Sequence, residues 1–79
     1  MRAPAIDPAW ELVHEVPSPF GPLRATRPAD RLGWVVFSGG RWGKHALYLP
    51  TRTDDEVWAH WVGYCENNGA DPRATRRVQ

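Results

Sequence analysis

Three histidines, one cysteine, two serines and one acidic run are the side chains of this 79-residue sequence whose types could carry chemistry. Their spacing decides how much. His14 and His45 fall on the inward positions of alternating segments, where a core or edge histidine is the simpler reading, and His60 borders the apolar arc of a helix. His60 and Cys65 stand five apart, about 140° around a helix, whereas ligands sharing a face stand at i and i+4. Cys65 lies within the apolar arc, where a free thiol acts as a small hydrophobe. Ser18 and Ser38 sit in or beside turns with no adjacent base. Asp54-Asp55-Glu56 has the composition of a metal or acid–base pair, but helix capping accounts for it. Gly39-Gly40-Arg41-Trp42-Gly43-Lys44 is not a phosphate loop: that motif needs four residues before its Gly-Lys and a Ser or Thr after it. Here two residues intervene and His45 follows. No catalytic residue, metal ligand or cofactor is assigned, and the expectation is a protein that is not an enzyme.

The elements that must hold these residues follow from proline, glycine and periodicity. Six of the eight prolines precede residue 29, so the first third cannot be a long helix. Between Pro8 and Pro17, Trp10, Leu12, His14 and Val16 alternate with Glu11, Val13 and Glu15, the period of a strand. PSPFGP over 17–22 is a turn, and its Pro19–Pro22 spacing also matches PxxP. Leu23–Arg27 reads as a short second strand. Leu32–Ser38 is apolar on both faces, the pattern of an interior strand. A glycine-rich hairpin loop leads to a further alternating strand over Lys44–Leu49, stopped by Pro50.

Thr53-Asp54-Asp55-Glu56 is a capping box with acidic residues at the positive end of the helix dipole. Beyond it, Val57, Trp58, Trp61, Val62, Tyr64 and Cys65 share an arc of about 160°. Asn67-Asn68-Gly69 ends the helix, with Gly69 suited to the left-handed conformation. The expected fold is therefore α+β: a small antiparallel sheet of three to four strands with one C-terminal amphipathic helix on one face. Residues 1–69 form the single domain, with 1–9 an extended arm, and 70–79 a disordered basic tail.

Size and charge bound the function classes. A chain this short buries only about 60% of its unfolded surface, so its core needs bulky side chains, and five tryptophans supply them. No apolar run approaches the ~18 residues of a membrane span. The N-terminus lacks a signal-peptide apolar core, and a lone cysteine excludes an internal disulfide; the chain reads as cytoplasmic. The net charge of +1 conceals blocks of −2 over 1–16, +5 over 17–52, −4 over 53–69 and +2 over 70–79. The basic middle suits an acidic protein face or a phosphate backbone.

One helix covers one face of a sheet, yet 32–38 is apolar on both. The expectation is a second face carrying bare apolar side chains, as partner-binding surfaces do, unless the N-terminal arm covers it. An indole beside Arg on a glycine-flanked loop also has the composition of an interface hot spot. The candidate partner-binding residues are Arg41, Trp42, Lys44, Phe37, Tyr48, Arg24 and Arg27.

The spacing of Leu32-Gly33-Trp34, Gly40-Arg41, Tyr48 and Trp58 loosely resembles a WW domain, and Trp42-Gly43-Lys44 resembles the triplet of WGR or AP2-type DNA-binding modules. Trp58 belongs to a capped helix and Lys44 departs from the WGR triplet, so neither family is assigned. The function expected is a small protein-binding module that sterically occupies a partner surface. Phages and mobile elements often encode such chains as inhibitors of host machinery, anti-CRISPR proteins among them. The alternative is a nucleic-acid binder with Arg24, Arg27, Arg41 and Lys44 on phosphates and Trp42 stacking on bases. A homodimer is a further option, and no membrane partner is expected.

Overall fold

The computed structural model describes residues 10–29, 32–42, 47–51 and 53–77, without the side chains of Trp42, Leu47 and Tyr48. The expected arm over 1–9 and the strand start at Lys44–Ala46 lie outside the described residues.

Among the described residues five strands form one antiparallel sheet: β1 (Glu11–Val16), β2 (Leu23–Arg27), β3 (Trp34–Ser38), β4 (Leu47–Pro50) and β5 (Arg76–Arg77), in the order β4-β3-β2-β1-β5. The helix α1 spans Asp54–Asn67 and packs on one face. It starts where the capping residues place it: the Thr53 hydroxyl accepts the Glu56 amide at 3.2 Å. It ends as a Schellman turn, with Gly69 at φ +70°. There the Ala70 and Gly69 amides donate to the Cys65 and Glu66 carbonyls at 2.9 and 3.2 Å.

The buried side of α1, Val57, Trp61 and Cys65, meets Val16, Leu23, Ala25, Val35 and Phe37 from the sheet. Trp58 and Tyr64, from the same arc, are half-buried against this core. Trp61 is fully buried, and its indole N–H donates to the Thr75 hydroxyl at 2.8 Å. That bond matters because a buried indole N–H without a partner is costly.

One expectation needs correction here. Residues 70–77 are not a disordered tail. Asp71 caps a 3-10 turn over Pro72–Ala74, which returns the chain alongside β1, and Arg76–Arg77 becomes the fifth strand. Polar composition concealed this because the segment is held by one pairing, one hydroxyl and one cation–π contact rather than by an apolar period. Of the two readings of the face opposite α1, bare or covered, its centre is covered. Leu12, Thr26, Val36 and Tyr48 share a row across four strands. Val36 in that row is fully buried and Thr26 is 7% exposed.

Candidate functional site

The structure separates the sequence-chosen residues. Phe37 is withdrawn from the partner-binding set: the register turns it toward α1, where it is fully buried with its ring 5.3 Å from Trp61 and 5.2 Å from Tyr64. Arg24 and Arg27 are three residues apart on one strand and so face opposite sides of the sheet. Arg24 pairs with Glu15 at 2.7 Å on the side away from the helix, and Arg27 pairs with Asp54 at 2.7 Å on the helix side. They do not form one basic patch. Tyr48 stands opposite Val36 in the register. Its side chain, that of Trp42, and the whole of Lys44 lie outside the described residues.

Arg41 gains a partner that sequence reading missed. Its guanidinium carbon lies 5.5 Å from the centre of the Phe20 ring, within cation–π range. Phe20 is 51% exposed, at the tip of the β1–β2 turn. That turn is fixed by reciprocal Ser18–Gly21 backbone bonds and by the Phe20 amide donating to the Ser18 hydroxyl at 3.2 Å.

The loop beneath Arg41 is fixed from the other side. Gly39 and Gly40 take φ of +88° and +78°, and a side chain on either would run into neighbours, the Pro22 carbonyl for Gly39 and Asn68 and Leu23 for Gly40. Only glycine permits both the conformation and the approach. The Tyr64 hydroxyl then donates to the Gly39 carbonyl at 2.9 Å. Asn68, 1% exposed, accepts the Arg41 amide on Oδ1 at 2.9 Å while its Nδ2 donates to the Tyr64 carbonyl at 2.8 Å. Arg41 therefore stands exposed on a base locked to the end of α1, with the exposed Phe20 ring beside it. The signal available in the sequence was Phe20 within its Pro/Gly turn, which turn chemistry alone had seemed to explain.

A second constellation lies at the other end of the helix. β1 carries a bulge between Leu12 and His14, so Glu11 and His14 both face α1, although three residues apart in a regular strand they would face opposite ways. With Val13, Arg27, Asp54, Asp55, Trp58 and Arg77 they line a cleft of about 330 Å³. Arg77 lies over the Trp58 indole, 4.1 Å from ring centre to guanidinium carbon. The His14 ring meets Trp58 edge-on at 5.5 Å and lies 5.6 Å from Trp61.

His14 is not the satisfied histidine its strand position suggested. It is 7% exposed, and its Nδ1 has no hydrogen-bond partner among the described residues. Burial first, and then the positive charge of Arg77, lower its pKa below the ordinary value, with Asp54 opposing. Asp54 likewise does more than complement the helix dipole, since it holds Arg27 at the cleft's edge. Among the described residues no three His, Cys, Asp or Glu side chains gather as a metal site, and no helix is long and apolar enough to cross a membrane.

Comparison with protein-family models, curated proteins and solved structures finds no match for this chain.

Proposed function

We propose that this chain is a non-enzymatic protein-binding module that acts by occupying a partner's surface through the Phe20–Arg41 edge. The observation that supports this reading is an exposed aromatic ring under an exposed guanidinium, on a turn closed by its own Ser18–Gly21 bonds and a loop bonded to the end of α1. Aromatic and arginine side chains dominate interface hot spots. Fixing them before binding also reduces the entropy lost on association. The partner surface that complements this edge is apolar with a carboxylate at its rim. Steric occupation of this kind is the mode of small inhibitors such as those phages and mobile elements direct at host machinery.

The nucleic-acid alternative loses support because Arg24 and Arg27 face opposite ways and each already holds a carboxylate. Photocrosslinking tests the proposal. A photoreactive phenylalanine analogue at position 20 is expected to capture a discrete protein from source-cell extract. The same analogue at Leu32, the other exposed large hydrophobe among the described residues, is expected to capture none. Equal capture from both positions, or capture only of a second copy of the chain, contradicts it. So does micromolar binding of DNA or RNA that weakens steeply with salt.

A further inference from the structure

We infer that residues 71–77 are an acid-released strap: protonation of His14 detaches them from β1 and α1, and bares the Trp58 face and the β1 edge at His14 and Glu15. The device does not involve the Phe20–Arg41 edge, so it stands or falls apart from the protein-binding reading. Arg77 stands opposite His14 in the β1–β5 register, so both side chains leave the sheet on the same side. The Arg77 guanidinium covers the Trp58 indole at 4.1 Å, and His14 meets that same ring edge-on at 5.5 Å. Thr75 accepts the Trp61 indole N–H at 2.8 Å, and the Trp61 ring lies 5.6 Å from His14. These contacts of the strap all end on His14 or on a ring beside it.

The strap is also weakly held. Strand β5 is two residues long, and none of residues 71–77 is buried; Ala70, just before them, is the last residue of the core. Segments with so little buried apolar surface open locally far more readily than the core does. Opening here frees backbone groups on β1, and an unpaired edge is a template for a further strand.

The neutral His14 ring suits this place and the charged ring does not. His14 is 7% exposed, and its Nδ1 is sealed without a hydrogen-bond partner among the described residues. A neutral imidazole can leave that nitrogen without a proton, whereas an imidazolium carries an N–H on both and needs an acceptor for each. The surrounding charges do not make up for this. Arg77 faces the ring from β5, Arg27 from β2, Asp54 and Asp55 from the start of α1, and Glu11 from β1 itself. Asp54 is engaged with Arg27 at 2.7 Å, and Glu11 and Asp55 are exposed to water. Burial first and Arg77 second disfavour the charged ring and Arg27 adds to them, while Asp54 and the Val13 backbone oppose. Release takes Arg77 away from the ring and opens the ring to water, so the released state takes up the proton first. Below about pH 6.5, each unit of pH therefore multiplies the released fraction by up to about ten. Above it, release does not depend on His14.

Hydrogen exchange followed by NMR on the full chain from about pH 7.5 to 5 tests this. The Trp61 indole N–H, bonded to Thr75, reads the strap, and amides in the middle of α1 read the whole fold. Each rate, divided by that of the same group unprotected at the same pH, gives an opening constant. In the wild type the indole value is expected to stay level above about pH 6.5 and to rise by up to about tenfold per unit below it. The α1 amides are expected to open less often than the indole throughout. In His14→Phe and in His14→Gln, neither of which titrates in this range, the indole value is expected to stay level. A level value in the wild type, an equal rise in either variant, or α1 amides that open as often as the indole overturns the inference.

Discussion

Replacing Asn68 by Ala removes one of the two side chains, with Tyr64, that tie the end of α1 to the loop carrying Arg41. Two hydrogen bonds go with it, from the Arg41 amide to Oδ1 at 2.9 Å and from Nδ2 to the Tyr64 carbonyl at 2.8 Å. Each contributes about 0.5–1.5 kcal/mol net, and a partly buried amide left without an acceptor adds about 1 kcal/mol or more. The expected loss is about 2–4 kcal/mol, from a total of about 4–12 kcal/mol for a chain of this length. At roughly 4–8 °C per kcal/mol this lowers Tm by about 8–32 °C. Gly40→Ala strains the same joint, because its new methyl group would run into Asn68 as well as Leu23. In the Asn68→Ala background part of that clash is gone, so the two losses are expected to be less than additive by at least about 0.5 kcal/mol. Urea melts of the two single variants and the double variant measure this directly. A loss below about 0.5 kcal/mol for Asn68→Ala, or strict additivity, would refute the view that the loop and helix end form one rigid unit.

Other perturbations probe the remaining joints. Because burial and Arg77 lower the His14 pKa, the unfolded chain takes up its proton first, near pH 6.5. This contribution to stability is full above about pH 6.5 and falls as pH drops toward the lower folded value, by at most about 1.4 kcal/mol per pH unit. Urea melts from about pH 7.5 to 5, compared with His14→Phe, are expected to show that slope in the wild type alone; an equal slope in both contradicts it. Cys65 is fully buried and its thiol is pushed up to about 11 by that burial, so a thiol reagent at neutral pH is expected to label it only as the chain unfolds. Labelling faster than unfolding would contradict its burial. Truncation after Gly69 removes β5, strips Thr75 from the Trp61 indole and uncovers Trp58. The expected loss is at least about 0.5–1.5 kcal/mol from the indole hydrogen bond alone, water taking the freed N–H, where a disordered tail would give none.

Local signals carried the sequence reading where the chain's own neighbours determine structure. Thr53 and Gly69 bound the helix in both sequence and structure, and the arc from Val57 to Cys65 is the buried one, because caps and a 3.6-residue period act within a few residues. Positions whose meaning depends on register or on distant partners were illegible. Whether Phe37 or Val36 meets the helix depends on strand pairing, and both prove buried. The β1 bulge, which alternation cannot reveal, decides that Glu11 joins His14 at the cleft. Arg77 reads as a basic tail residue until Trp58 is seen beneath it. Phe20 reads as a turn residue until Arg41, 21 positions later, lies over its ring.

The central claim, that the Phe20–Arg41 edge is the binding surface, is tested most directly by quantitative capture from source-cell extract with the wild-type chain and the Phe20→Ala/Arg41→Glu variant side by side. Both side chains are exposed and neither belongs to the core, so the variant is expected to melt like the wild type. The expected result is a protein retained by the wild type and depleted at least about tenfold by the variant. Equal retention by both, at equal stability, would contradict it.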